Sequence, residues 1–234
     1  MGKTSESIEE MSVTSARGAL KDEVERASRE LEGADAIEIC QWSVGRFGDD
    51  LVVASSFQDA VLIDLMVKAD PRAEIVFLDT GFHFPETLSY LHEIDARYGL
   101  NLTVLKPGLP LDISPCGSDG CCDVRKVTPL NNHLKGKSAW VTGLKRVDTP
   151  ERTDAPIVAF DEAHGIVKVN PMAAWTDDDV DRYVEENGLP RHPLNARGYV
   201  SIGCAPTTRP IAAGEDPRAG RWPDSDKTEC GLHL

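Results

Sequence analysis

Short apolar runs and longer stretches of helical spacing alternate along most of the chain. The apolar runs, rich in β-branched residues, predict strands at residues 51–54, 74–78, 102–105, 139–142 and 166–169. The longer stretches predict helices at residues 16–33, 34–47, 60–68, 85–98 and 176–186. Thr176 and the aspartates that follow it suit the start of the last helix, where the helix dipole favours anions.

This alternation of strands and helices predicts an α/β fold with a parallel sheet and helices on both of its faces. Ligands of such sheets bind beyond the carboxyl ends of the strands, where the loops at Ser55, Asp79 and Gly143 fall. Regular periodicity fades after Gly188, so the C-terminal tail is expected to be irregular and partly mobile. We expect one domain, made of N-terminal helices (residues 1–48), an α/β core (49–200) and a C-terminal segment (201–234).

Composition narrows the class of protein. The 234 residues are 41% hydrophobic, enough for one sizeable core, and no apolar run approaches the length of a membrane span. A cytoplasmic protein without membrane contact is therefore expected. The net charge of -14 argues against nucleic-acid binding. Basic residues in the second half could nevertheless form a small anion pocket: Arg125, Lys126, Lys145, Arg146, Arg152, Arg209, Arg218 and Arg221.

The six cysteines indicate metal or redox chemistry rather than disulfides, because the chain starts without a secretion signal and the cytosol keeps thiols reduced. Cys40 stands alone in an apolar helical stretch and is expected to be a core residue. The other cysteines stand near glycines or prolines: Cys116, Cys121, Cys122, Cys204 and Cys230.

The loop from Ser55 to Asp59 follows a predicted strand and precedes a predicted helix. It lacks the glycines and the lysine of a Walker loop, yet its hydroxyls and backbone N–H groups could hold a phosphate or sulfate. An ordinary capped turn is the alternative.

Several rarer motifs occur in an order found in one enzyme family. They are LDTGFHFPET (78–87), CCDVRK (121–126), WVTGLKR (140–146), VNPMAAW (169–175), GCAP (203–206), RAGRW (218–222) and KTECGLH (227–233). From Leu51 to His233 the chain resembles the adenylyl-sulfate and phosphoadenylyl-sulfate reductases. That resemblance implies a Rossmann-like fold of the adenine nucleotide alpha-hydrolase type, with a modified phosphate loop.

The resemblance also implies a reaction, the thioredoxin-dependent reduction of adenylyl sulfate to sulfite and AMP in sulfate assimilation toward cysteine. Cys230 would attack the sulfonyl sulfur and carry the group as S-sulfocysteine until a thioredoxin dithiol releases sulfite. Such a cysteine must react as a thiolate, and Lys227 and His233 flank it in the sequence. The tail could close over the nucleotide and then swing out to meet thioredoxin.

Substrate-binding residues follow from the same resemblance. Lys126 is expected near both the sulfate and the cluster cysteines, and Gly143 would admit the nucleotide close to the backbone. Arg218 and Arg221 would hold phosphosulfate oxygens, with Arg152 as a further candidate. The phosphate loop and a strand end supply the remaining expected contacts: Ser55, Ser56, Leu78, Asp79 and Thr80.

Family members that use adenylyl sulfate hold a 4Fe-4S cluster with four cysteines, and Cys121, Cys122 and Cys204 match three of them. Thr207 stands at the fourth position, where a hard hydroxyl is a poor ligand. Three accounts stay open. An oxygen ligand, a water or a three-iron core completes the site; Cys116 substitutes, which requires the loop at residues 117–120 to bend; or the site is empty or wrongly metallated. The favoured account is a cluster-type site with a compromised fourth ligand, with Cys116 as a spare loop thiol.

Retention of three cluster cysteines points to adenylyl sulfate, because cluster-free family members use the 3′-phosphorylated nucleotide. Three other functions compete: a cluster-free phosphoadenylyl-sulfate reductase, a nucleotide or iron-sulfur sensing module without turnover, and an ATP-consuming adenylating enzyme. The motif around Cys230 argues against the sensor, and the glycine-poor loop at Ser55 argues against the adenylating enzyme. Several family members assemble, so a homo-oligomer stays open.

Overall fold

The computed structural model describes residues 3–225 and 227–232, without the side chains of residues 3–14 and 16. Six α-helices fall within these described residues. The helices are α1 (Lys3–Leu31), α2 (Ala36–Phe47), α3 (Val61–Ala69), α4 (Pro85–Tyr98), α5 (Thr128–Leu134) and α6 (Asp177–Glu186). Helix α1 begins well before the predicted residue 16. Helix α5 was not predicted, because it is only 7 residues long and continues from a π-helical turn at Asp123–Val127.

A single six-stranded sheet forms the centre of the molecule. Its strands are β1 (Leu51–Ser55), β2 (Glu74–Leu78), β3 (Asn101–Leu105), β4 (Ala139–Thr142), β5 (Val158–Asp161) and β6 (Ile166–Val169), in the order β3-β2-β1-β4-β6-β5. All neighbours pair in parallel except β5 and β6. The five predicted strands are confirmed. The antiparallel edge strand β5 was missed, because it is a short, half-buried partner in a hairpin.

Side chains of the strands alternate between two apolar layers, so the predicted α/β fold with helices on both faces is confirmed. On one face Val53, Ile75 and Phe77 pack with apolar residues of α2, α3, α4 and α6. On the other face Val52 and Val76 pack with Trp140 and with Leu130 and Leu134 from α5. Strand order reverses between β1 and β4, which opens a crevice at their carboxyl ends.

Several local expectations hold in the structure. The Thr176 hydroxyl accepts a hydrogen bond from the Asp179 N–H at 3.2 Å and so caps α6. Cys40 is fully buried in the core, as predicted. Within the described chain, no helix is long and apolar enough to cross a membrane.

The C-terminal tail is irregular, as predicted, but it is packed against the rest of the molecule. Its described part after Arg197 contains a 3-10 turn at Ala205–Thr207 and one antiparallel bridge between Thr208 and Arg221. Trp222 and Glu229 are only 8% and 6% exposed. The tail therefore covers the carboxyl ends of the central strands. Its mobility stays a prediction.

Candidate active site

A cavity of about 230 Å³ lies at the carboxyl ends of β1, β2 and β4. The strand ends contribute Ser55, Ser56, Leu78 and Gly143 to its wall. The opposite wall comes from the tail and from segments around the sheet: Lys126, Arg152, Gly203, Arg218, Arg221, Glu229 and Cys230. Most of the predicted site residues therefore meet in one cavity, although they are spread over the whole core sequence.

The loop after β1 is both a lining element and a helix start. The Ser55 hydroxyl accepts a hydrogen bond from the Phe57 N–H at 3.2 Å, and Phe57 has a left-handed φ of 55°. Asp59 accepts from the Val61 N–H at 3.0 Å, at the start of α3. Burial raises the pKa of Asp59. Gln58, which was not predicted, accepts from the Ile202 N–H at 2.9 Å and so ties the loop to the tail.

Gly143 follows β4 and lines the cavity. Its position is fixed by the preceding Thr142, whose hydroxyl donates to Asn170 Oδ1 at 2.8 Å across the neighbouring strand end. A Cβ added to Gly143 would meet only Leu62 Cδ2, at an ordinary 3.7 Å. The fold would therefore accept a side chain at this position, and what the glycine adds is open space in the cavity wall.

Arg221 brings a cation into the cavity wall. Its guanidinium lies 4.4 Å from the centre of the Trp222 ring and donates to the Ser201 hydroxyl at 3.3 Å. A Cβ on Gly203 would fall 2.4 Å from Arg221 Nη2, so only glycine admits the guanidinium here. The buried Arg221 Nε has no hydrogen-bond partner among the described residues. Burial lowers the pKa of Arg221, and the orphaned donor suits an anionic ligand.

Lys126 and Arg218 complete the cationic side. Lys126 lies in the wall that the cavity shares with a second recess, which contains the other cysteines. Arg218 donates through Nη2 to the Thr228 carbonyl at 3.0 Å, so it also holds the tail.

Arg152 contacts acidic residues rather than open space. Its Nη2 donates to Glu229 Oε2 at 2.6 Å, and its Nη1 donates to Asp148 Oδ2 at 2.9 Å. The Thr149 hydroxyl donates to Glu229 Oε1 at 3.1 Å. Burial alone would raise the pKa of Glu229, but the hydrogen bond and charge of Arg152, the charge of Arg218 and the Thr149 hydrogen bond together outweigh it, and the pKa is lowered. In this arrangement Arg152 holds Glu229, the residue next to Cys230.

Cys230 is partly buried and lines the cavity. It is close enough to Arg221, Lys227 and Cys122 for electrostatic interaction with each. Lys227 donates its hydrogen bond to Cys122 Sγ, at 3.2 Å. The predicted neighbour His233 lies outside the described residues.

The second recess, of about 440 Å³, gathers Cys116, Cys121, Cys122 and Cys204. None of the six cysteines forms a disulfide. Cys116 and Cys204 are close enough for their thiols to interact, and this interaction lowers the pKa of Cys204 and raises that of Cys116. Burial raises the pKa of Cys122.

A single metal ion has no site here: among the described residues, no three Cys, His, Asp or Glu side chains are arranged to hold one. A four-iron cluster is much larger than one ion, so its thiolates stand further apart.

The three residues 78–80 at the end of β2 lie in different places. Leu78 lines the cavity, but Thr80 is buried in the recess, with its hydroxyl 3.4 Å from Cys204 Sγ. Asp79 contributes to neither wall. Its carboxylate accepts from the Gly81 N–H at 3.0 Å and pairs with Lys106 at 3.2 Å. The expected contact of Asp79 with adenosine stays a prediction.

Arg125 is a structural residue that the sequence did not single out from other basic positions. It is 1% exposed, and its guanidinium donates to the carbonyls of Thr80 at 3.1 Å, Ile113 at 2.6 Å and Ser114 at 2.9 Å. It stands in the π-helical turn directly after the cysteine pair. Such turns are often found at functional sites but have no reliable sequence pattern.

Of two further cavity residues, His83 was missed, and Lys145 was named only as one of the basic residues that could form an anion pocket. His83 approaches the Leu78 carbonyl through Nε2 at 2.9 Å, and burial lowers the pKa of His83. Lys145 forms ion pairs with Asp148, at 3.3 Å, and with Asp177. The signal for His83 was its place in the 78–87 motif; nothing in the sequence paired Lys145 with these acids.

Comparison with known proteins gives a consistent result. Residues 50–210 match the family model of the phosphoadenosine phosphosulfate reductase domain. An adenosine 5'-phosphosulfate reductase of Mycolicibacterium smegmatis is 44% identical over 94% of this chain and 98% of its own. One from Streptomyces coelicolor is 45% identical over 92% and 94%.

Solved structures extend the comparison. A phosphoadenylyl-sulfate reductase from Candida auris, crystallised with phosphate, superposes with a TM-score of 0.69 at 25% identity, over 81% of this chain and 97% of that one. An FMN adenylyltransferase from Candida glabrata, with a TM-score of 0.58 at 14% identity over 78% of this chain and 68% of that one, shares the fold alone.

Proposed function

The chain belongs to the phosphoadenosine phosphosulfate reductase family, and from this premise we propose that it reduces adenylyl sulfate to sulfite and AMP in sulfate assimilation. The observation that carries the proposal is the place of Cys230, in the wall of a cavity that also contains Lys126, Arg218 and Arg221. A nucleophilic thiol and three cations around one cavity suit a substrate with adjacent phosphate and sulfate groups.

Substrate binding uses the two sides of the cavity differently. The strand ends at Ser55, Ser56, Leu78 and Gly143 receive the adenosine and its phosphate through backbone and hydroxyl groups. The sulfate lies toward Lys126, Arg218 and Arg221. The buried Arg221 Nε gains its missing partner when an anionic oxygen arrives.

The first half-reaction forms a sulfur–sulfur bond. The Cys230 thiolate attacks the sulfonyl sulfur, and the bond from that sulfur to the bridging oxygen breaks. AMP leaves with the electron pair of that bond. Lys126 and the two arginines stabilise charge on the leaving phosphate, where it grows in the transition state. Cys230 is left as S-sulfocysteine.

The second half-reaction needs a dithiol, for which we propose thioredoxin. One thioredoxin thiolate attacks the Cys230 sulfur, sulfite leaves, and the second thioredoxin thiol resolves the mixed disulfide. Cys230 is itself on the tail and is partly buried, so the tail has to move outward for this step. The irregular backbone after Arg197 suits such a movement, since no long helix or strand within its described part must break.

An iron-sulfur cluster of the 4Fe-4S type fits the recess beside the cavity. Cys121, Cys122 and Cys204 line it together with Lys126 and Lys227, and soft thiolates beside cations are suitable surroundings for such a cluster. When bound, it would fix the cysteine loop and the tail turn relative to each other and set the charge beside the cavity.

Two reasons support adenylyl sulfate, rather than its 3′-phosphorylated form, as the proposed substrate. Relatives 44% and 45% identical over most of the chain are named for adenosine 5'-phosphosulfate, whereas the phosphoadenylyl-sulfate reductase is 25% identical. The three cluster cysteines are also retained.

We place the enzyme in the cytoplasm, where its unpaired thiols would stay reduced, and propose neither nucleic acid nor membrane as a partner. Assembly into a homo-oligomer stays open.

Sulfite release from the two nucleotides tests the proposal. With reduced thioredoxin, the chain is expected to release sulfite from adenylyl sulfate at least tenfold faster than from the 3′-phosphorylated nucleotide. Omitting thioredoxin should limit sulfite to less than one equivalent per chain. Equal or reversed rates would contradict the substrate, and undiminished turnover without any dithiol would contradict the role of thioredoxin.

A further inference from the structure

Cys116 lies beside Thr207, the position in the recess where the family pattern would place a fourth cysteine. Its Sγ is 3.6 Å from the hydroxyl of Thr207, the residue at the expected fourth position. It lines the same recess as Cys204, a ligand of the proposed cluster. Cys116 is far from Thr207 and Cys204 in sequence, so this contact is made by the fold rather than by a local motif.

Glycine lets the loop of Cys116 approach so closely. Gly117 has a left-handed φ of 91°, and a Cβ there would stand 3.3 Å from Thr207 Cγ2. Gly120, just before the cysteine pair, is also left-handed, with a φ of 69°. The bend that Cys116 needs in order to reach the recess is therefore present in the loop.

Arg125 holds this bent loop in place. Its guanidinium donates to the carbonyls of Ile113 and Ser114, three and two residues before Cys116, and to that of Thr80, whose hydroxyl contacts Cys204. The Arg125 side chain is 1% exposed. A buried arginine committed to backbone carbonyls fixes the separation between the loop and the strand end. The Cys116 thiol is thus positioned before any cofactor binds.

Thr207 is poorly suited to the ligand role. Its hydroxyl is directed at the Cys204 carbonyl, at 3.4 Å, and a protonated hydroxyl is a hard, weak ligand for iron in a sulfur-rich site. We propose that Cys116, instead of Thr207, supplies the fourth thiolate of an iron-sulfur cluster whose other ligands are Cys121, Cys122 and Cys204. Each thiol gives up its proton to solvent as its sulfur binds iron, and no sulfur is oxidised. The inference rests on the proposed function for the presence of a cluster.

Iron and sulfide content test this ligand set. The full chain and its variants are reconstituted without oxygen from ferric iron, sulfide and a thiol reductant that supplies the electrons for partial reduction of the iron, then measured by metal analysis, visible absorption and electron paramagnetic resonance. The natural chain should hold about four iron and four sulfide per chain. Cys116→Ser should lose at least half of its iron or convert to a three-iron spectrum. Thr207→Ala, which alters the other side of the same contact, should keep the full content and spectrum.

A transferred ligand gives the sharpest control. Cys116→Ser combined with Thr207→Cys should regain the iron content and spectrum of the natural chain. Full iron content in Cys116→Ser, or loss in Thr207→Ala alone, would overturn the assignment. A natural chain without iron would overturn it too, and a Cys116–Cys204 disulfide in that chain would identify the contact as a redox pair.

Failure of this inference can be told from failure of the proposed function. The mass of the same samples after incubation with adenylyl sulfate shows whether the sulfonyl group has been transferred to Cys230. This measurement does not depend on iron.

Discussion

Glu229 and Arg152 form a buried two-point ion pair. Arg152 Nη2 donates to Glu229 Oε2 at 2.6 Å, and Arg152 Nε lies 2.6 Å from Glu229 Oε1. The two side chains are only 10% and 4% exposed. Since Glu229 directly precedes Cys230, this pair sets where the thiol lies when the tail is closed. The arginine expected to bind phosphosulfate is a positioning residue in this state.

Glu229→Gln should loosen the closed tail. The amide keeps the shape of the side chain but leaves Arg152 facing one carboxylate, the partly buried Asp148, instead of two. The unfolding free energy should fall by about 2 kcal/mol, and kcat/KM for adenylyl sulfate by about tenfold. Chemical denaturation and steady-state sulfite release measure the two effects.

Glu215→Gln is the matched control for this change. Glu215 lies in the same tail and pairs with Arg209 at 3.1 Å, but that pair is exposed and should contribute little. If Glu215→Gln reduces activity as much as Glu229→Gln, the buried pair has no special part in positioning Cys230.

The contribution of Glu229 should depend on pH. Its pKa is lowered in the folded protein, so its stabilising effect is complete above the ordinary value near 4.5 and is lost as the pH falls through the lowered value. The difference in melting temperature between the natural chain and Glu229→Gln should thus be constant near neutral pH and shrink below pH 4.5. A difference that is unchanged or larger in acid would contradict the ion pair as its cause.

Gly203→Ala should act on substrate binding through Arg221. The new methyl group would fall within 2.4 to 2.8 Å of guanidinium atoms and displace them from the cavity wall. The KM for adenylyl sulfate should rise about tenfold or more, as in Arg221→Lys, and the double variant should add little. Steady-state kinetics check this pattern. Additive losses would indicate that Gly203 acts independently of the arginine.

Gly143→Ala separates binding from folding. The free protein has room for the methyl group, with its nearest contact at 3.7 Å, so the melting temperature should change by no more than about a degree. The nucleotide would lose close approach to the backbone, and the Kd for AMP should rise about tenfold in calorimetry. Unchanged AMP affinity would remove Gly143 from the nucleotide site.

The sequence predicted the parts of the fold that depend on local pattern. Strands β1, β2, β4 and β6 are buried runs with clear boundaries, and Thr176 caps its helix through its own side chain. The missed elements depend on distant partners. Strand β5 is completed by its hairpin with β6, and helix α5 by burial of Leu130 and Leu134 against the sheet.

The candidate site divides in the same way. Motif order was enough to nominate Cys230, Lys126, Arg218 and Arg221, which the fold gathers in one cavity. Pairings across long sequence separations could not be read from the sequence. Arg152 with Glu229 and Cys116 with Thr207 each join loops whose relative positions are set only by the packed sheet.

The mass of the chain after incubation with adenylyl sulfate, in the absence of thioredoxin, tests the central claim most directly. Peptide mapping should find one added SO3 group on Cys230, with one equivalent of AMP released, and neither in Cys230→Ser. Reduced thioredoxin should then remove the group as sulfite. AMP release without an adduct, or an adduct on another cysteine, would contradict Cys230 as the nucleophile.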